Sequence, residues 1–173
     1  MFLSKSAITC AVETGAVTID PFDPTRLTGA SYVFGVGADM LEVEAAPDGE
    51  GFSFASRAVE LTDGAWTLEP GRLYLAATDC RIGSDRFAMR LVGRPALGHI
   101  GLFLQISADL GHQGARHAWT LEIVATRPTR LAPHQPIGQV AFCRALGEAA
   151  PYAGAFAATD RPLMSPLHKG VRA

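Results

Sequence analysis

The chain has 173 residues, 48% of them apolar and 18% charged, with a mean hydropathy of +0.16. It is too apolar for a disordered chain and long enough, as one domain of ordinary size, to bury roughly 70% of its unfolded surface. Fifteen Lys and Arg against seventeen Asp and Glu leave a net charge of −2, so no basic excess draws it toward nucleic acid or an anionic membrane, and neither is expected as a partner.

The first element in chain order is a short helix over Ser4–Thr14, with Ser4 as its cap, Ile8, Ala11 and Val12 on one face and Gly15 at the left-handed stop. Lys5 and Glu13 interrupt this stretch, so it lacks the uncharged run of a signal peptide, and no window along the chain reaches eighteen uncharged apolar residues. A soluble, cytoplasmic protein is expected. Next come Val17-Thr18-Ile19 and then Asp20-Pro21-Phe22-Asp23-Pro24, where two prolines forbid helix and favour an extended turn.

Short apolar runs follow, punctuated by glycine, proline or aspartate, and each reads as a strand: 31–36, 51–54, 58–61, 66–69, 73–78, 87–92, 102–107, 119–125 and 138–143. Gly64, Gly71, Gly93, Gly101 and Gly114 mark the turns between them. The pattern is that of one mostly β domain over residues 1–151. The less regular tail, 152–173, is expected to form an arm rather than a second domain.

Within the 119–125 run, Glu122 shares a face with Thr120 and Val124 while Leu121 and Ile123 face the other way. A carboxylate among such neighbours is costly to desolvate unless it is paired or lines a cleft, and a cleft carboxylate suits general acid–base chemistry. The competing reading is a glutamate on the solvated face of an edge strand. Gly93-Arg94-Pro95-Ala96-Leu97-Gly98-His99 reads as a glycine-rich turn whose free amides and Arg94 could cradle phosphate, or as an ordinary loop. Arg116 and His117 stand just before the Glu122 run, where they add positive charge to the same cleft or are simply solvated.

The histidines at 99, 112, 117, 134 and 168 show no H-E-x-x-H spacing and read as surface residues. Neither is there the H-x-E with a later P-C-x-x-C by which zinc-dependent base deaminases hold their metal. Cys10, Cys80 and Cys143 lie far apart without a C-x-x-C pair, which argues against a disulfide framework and a structural zinc site.

Six segments in register carry a resemblance. The opening from Ile8 through Pro21 and Pro24 to Tyr32, Leu68-Glu69-Pro70-Gly71, Gly93-Arg94-Pro95-Ala96-Leu97, Thr120-Leu121-Glu122, Ile137-Gly138-Gln139-Val140-Ala141-Phe142 and Pro151-Tyr152 together resemble a divergent member of the dCTP deaminase branch of the dUTPase superfamily. The resemblance implies a dUTPase-like distorted β-barrel, a β-clip, assembled as a homotrimer with nucleotide sites at subunit boundaries. It implies metal-free hydrolytic deamination of a deoxycytidine nucleotide, dCTP to dUTP, with Glu122 activating water at C4 of cytosine. No protein-bound cofactor is implied, and Mg²⁺ accompanies the triphosphate.

Ile106, Ser107 and Ala108 match the stretch whose backbone reads the base. Arg94, His99, His112, Arg116 and Thr159 would make a rebuilt phosphate and arm side, because the family's pattern is altered there. Its two serines after the Arg read Pro95 and Ala96, its next Arg reads His99, the Arg beside the base reads Leu110, and the Asp of its D-P-G reads His112. The arm's Tyr, Gln and Gly read Phe156, Thr159 and Arg161. The alternative is a catalytically decayed trimer serving as a binding or structural module. A dUTP pyrophosphatase ranks third, since its Asp is missing.

Overall fold

The computed structural model describes residues 1–45, 54–104, 108–148, 150–154 and 159–165. Helix α1 runs over Lys5–Glu13 with Ser4 as its N-cap, the Ser4 hydroxyl accepting from the Ala7 amide. Gly15, at φ +71°, turns the chain out of it, a conformation that glycine adopts without a Cβ clash. Ile8 and Ala11 are the buried residues of this helix.

Thirteen strands follow among the described residues: β1 (Thr18–Asp20), β2 (Tyr32–Ala45), β3 (Phe54–Ala58), β4 (Trp66–Leu68), β5 (Leu73–Thr78), β6 (Arg81–Gly83), β7 (Ala88–Gly93), β8 (Leu102–Leu104), β9 (Leu110–Gly111), β10 (Arg116–His117), β11 (Thr120–Ala125), β12 (Thr129–Leu131) and β13 (Pro136–Cys143). A single helical turn, α2 (Pro95–Gly98), separates β7 from β8. The main sheet has the order β8-β11-β5-β2-β13-β7-β9, with β3 also on β2. A three-stranded sheet β1-β6-β10 and a pair β12-β4 complete the fold.

The main sheet curls into a half-barrel because β2 serves two sets of partners. Its first residues pair with β13 and its later ones with β5 and β3, with a register shift between Val36 and Met40. Such an irregularity bends a strand and increases its twist. The inner face is a core of large apolar side chains, including Trp66, Tyr32, Tyr74, Phe34, Phe142 and Leu121. Buried Glu42, at 3% exposure, is held by Arg57 from β3 and by Arg72. Among the described residues no helix is long and apolar enough to cross a membrane.

Several expected strands are corrected. The 31–36 run extends to Ala45. Residues 58–61 do not form a separate strand: β3 ends at Ala58, and the chain then enters a turn where Thr62 and Ala65 exchange hydrogen bonds. In the 51–54 and 102–107 runs, residues 51–53 and 105–107 lie outside the described residues. Gly93 is not at a turn but pairs with Gly138 in the sheet.

Candidate functional site

Strand β11 lies between β5 and β8, so Glu122 is on an interior strand and not on a sheet edge. The burial alternation is clean: Leu121, Ile123 and Ala125 are buried, while Thr120, Glu122 and Val124 are half-buried. Glu122 stands opposite Leu75, and Val124 opposite both Leu73 and Phe103; Leu75 and Leu73 in turn stand opposite Leu41 and Val43 of β2. Directly opposed residues share a face. Among the described residues the outer face of the sheet here is therefore largely aliphatic and aromatic, with the hydroxyls of Thr120 and Ser56 and one acid, Glu122, set into it.

Glu122 and Ala108 line two cavities. The first, about 220 Å³, is walled by Ala108, Leu110, His112, His117, Trp119, Thr120, Glu122, Tyr152 and Thr159. The second, about 580 Å³, lies over Val43, Phe54, Leu73 and Leu75 and is bounded by arm residues Leu163, Met164 and Ser165.

The floor of the smaller cavity is tightly fixed. The Trp119 amide donates to the Thr78 hydroxyl at 2.9 Å, and its indole Nε1–H donates to the Ile82 carbonyl at 2.9 Å. Pairing of β10 with β6 sets His117 opposite Ile82. The His117 and Trp119 rings then lie 4.3 Å apart between centroids. On the other side, His112 and Tyr152 stack at 5.0 Å. The Tyr152 amide donates to the Gln113 carbonyl at 2.9 Å, and the Leu163 amide donates to the Thr120 hydroxyl at 3.1 Å, so the described parts of the arm lie against their own domain.

Of the residues singled out from sequence, this cavity gathers Glu122, Ala108, His112 and Thr159. Ile106 and Ser107 lie outside the described residues. Arg116 is turned to Asp85, with which it forms an ion pair. Among the described residues, Arg94 and His99 line neither cavity and instead flank α2.

The expected glycine-rich turn with free amides is corrected as well. The Arg94 amide donates to Ile137, those of Leu97 and Gly98 to Arg94, His99 to Pro95, Ile100 to Leu97 and Gly101 to Gly98. Pro95 has no amide to offer, the Arg94 amide is spent on β13 and those of Leu97 to Gly101 within the turn, and among the described residues only the Ala96 amide of this segment makes no backbone hydrogen bond. His117, grouped with the surface histidines, is 2% exposed. It lies in the wall beside Glu122, where the sequence offered it as one of two readings, and its neighbour Trp119 is a wall residue to which the sequence gave no role. The signal available was the aromatic spacing beside the Glu122 run. Among the described residues no three His, Cys, Asp or Glu side chains gather as metal ligands.

A curled, mostly β domain with one acid set in an apolar sheet face above a small aromatic-walled cavity is the class of protein at hand. A family model described as dCTP deaminase-like matches residues 2–145. A dCTP deaminase of Rhodopirellula baltica is 34% identical over 132 residues, 76% of this chain and 67% of that one. A dUMP-forming dCTP deaminase of Leptospira biflexa is 30% identical over 136 residues, 79% and 78% of the two chains. The solved 2′-deoxycytidine 5′-triphosphate deaminase of Agrobacterium tumefaciens superposes with a TM-score of 0.62 at 15% identity, over 82% of this chain and 47% of that one. This likeness speaks to the fold, and the chain spans less than half of that solved chain. The chain belongs to the dCTP deaminase-like family.

Proposed function

We propose that the protein is a metal-free hydrolytic deaminase of a deoxycytidine nucleotide, with Glu122 as the general base. The observation that carries this reading is the position of Glu122, an acid on a largely apolar sheet face and shared by two cavities. Low-polarity surroundings strengthen the interaction of a carboxylate with a water held against it. In the reaction, the Glu122 carboxylate takes one proton from water as the oxygen bonds to C4 of the base. The C4–N bond then breaks, and nitrogen leaves as ammonia with the proton carried by Glu122. The second water proton ends on N3 of the uracil ring. Mg²⁺ enters with the triphosphate as part of the substrate.

A homotrimer belongs to this reading. Leu73, Phe103 and Phe54 are 38%, 40% and 39% exposed beside Glu122, an apolar surface that a second copy would cover. In such an assembly the Arg94 and His99 side chains would serve the triphosphate at a neighbouring chain's cavity. A cytoplasmic location, beside the nucleotide pool, goes with the same function.

The experiment is ammonia release from dCTP with Mg²⁺. Glu122→Gln should lower turnover by about a thousandfold, within the usual range for loss of a general base, while dCTP binding persists. Equal turnover in the two proteins would overturn the role of Glu122. One observation favours the alternative of a decayed binding module: the turn at 94–101 spends the amides of Leu97 to Gly101 on itself, and its Pro95 and Ala96 side chains donate no hydrogen bond. Under that alternative the wild-type protein releases no ammonia.

A further inference from the structure

His117 is a cavity-wall residue whose polar chemistry the mechanism above does not use. Its ring is 2% exposed. Nδ1 lies 2.9 Å from the Ala118 carbonyl oxygen. A carbonyl oxygen accepts only, so Nδ1 carries the ring proton and donates it. In the neutral ring Nε2 is then a lone-pair acceptor. It is buried and has no hydrogen-bond partner among the described residues. Buried acceptors are rarely left unpaired in a folded domain, and the residue that carries this one is part of the wall of the Glu122 cavity.

The ring cannot easily turn away to solvent. Trp119 holds its face at 4.3 Å, and the indole is itself tied to the Ile82 carbonyl. The rest of the wall includes the stacked His112 and Tyr152 rings together with Leu110, Thr120 and Glu122. A flat heterocycle suits the stacked aromatic sides, and its edge would meet the unpaired nitrogen.

We propose that His117 is a specificity residue of the Glu122 cavity, its Nε2 accepting a hydrogen bond from an exocyclic amino group on the ligand's ring. The inference rests on the deaminase reading and adds the group that chooses between substrate and product. An amino-bearing ring offers a donor to Nε2, whereas an oxo-bearing ring places a second acceptor against it, leaving both unpaired. The same nitrogen that holds the substrate therefore disfavours the product after ammonia leaves.

The test is calorimetric binding of dCTP and of dUTP, in a Glu122→Gln background so that no turnover intervenes. His117 should give a preference for dCTP of about ten- to hundredfold. His117→Gln, which keeps an acceptor oxygen, should retain most of the preference, and His117→Phe, which keeps a ring against Trp119, should lose it. Histidine ¹⁵N labelling gives a readout on the unsubstituted His117: its Nε2 resonance should shift with dCTP and not with dUTP. Two results would overturn the inference, an unchanged preference in a folded His117→Phe protein or an Nε2 resonance that dCTP leaves in place. Failure of both nucleotides to bind would bring down the deaminase reading together with this one.

Discussion

Two regions were singled out by the same kind of motif reading, and they turn out physically opposite. The segment at 93–101 looks rich in binding groups, yet its amides from Leu97 to Gly101 close a helical turn upon itself, the Arg94 amide is spent on Ile137, Pro95 has none, and only that of Ala96 is left over. The wall around Glu122 looks merely apolar, yet it carries an acid on an interior strand and a buried imidazole nitrogen that has no hydrogen-bond partner among the described residues. Binding capacity lies where polar groups remain unspent after folding, and glycine content alone does not report it.

The contrast can be broken from either side. The largest stability effect is expected behind the cavity, at Gly83. A Cβ there would come within 2.1 Å of the Ala115 carbonyl oxygen and 2.6 Å of the Arg116 Cα, backbone atoms on or beside the strand that carries His117. Gly83→Ala should cost about 2–3 kcal/mol in urea unfolding and also weaken nucleotide binding. The same substitution in the turn, Gly98→Ala, meets only Phe103 Cε1 at 3.9 Å and should change stability by no more than about 0.5 kcal/mol. Similar losses at the two glycines would erase the distinction.

A smaller effect is expected when the turn's side chains are tested apart from its backbone. Under the trimeric reading Arg94→Ala should raise KM for dCTP about tenfold, the loss of one charge-assisted bond, with kcat and melting temperature little changed. An unaltered KM would leave the turn without a role at the site.

The smallest effect concerns a buried thiol, Cys80, which lines neither of the two cavities. Burial, and after it the neighbouring Asp79 carboxylate, pushes the Cys80 thiol up to about 12 from its ordinary 9.0. A folded-state value raised in this way means that the unfolded chain sheds the proton first. The stabilising contribution is complete below pH 9 and is lost as pH rises toward 12. At pH 8.5 iodoacetamide should modify exposed Cys10 and spare buried Cys80; rapid labelling of Cys80 in the native protein would contradict this.

Much of the sheet was legible because its longer strands keep a period. The 73–78 run coincides with β5, and the 119–125 run differs from β11 by one residue. Strands β6, β9, β10 and β12, of two or three residues each, are too short to show alternation and exist only because a distant strand pairs with them. β2 was read short because Gly37-Ala38-Asp39 interrupts its apolar pattern where the register shifts. α2 was hidden by Pro95 and Gly98, which read as turn residues and here open and close one helical turn.

At the site, Glu122 was legible because a lone acid in an apolar run stands out. The burial of His117 was not, since it depends on the pairing of His117 with Ile82 and on the fixed Trp119 ring. Arg116, adjacent to it, was placed in the cleft by proximity in sequence, but in a strand its side chain points the other way and finds Asp85.

The most direct test of the whole account is the product balance of the unmodified protein given dCTP and Mg²⁺. The account predicts one ammonia for each cytosine nucleotide consumed, with a uracil nucleotide as the product. No ammonia and no rise in melting temperature with dCTP would contradict it and leave Glu122 as an acid in a sheet face without hydrolytic work.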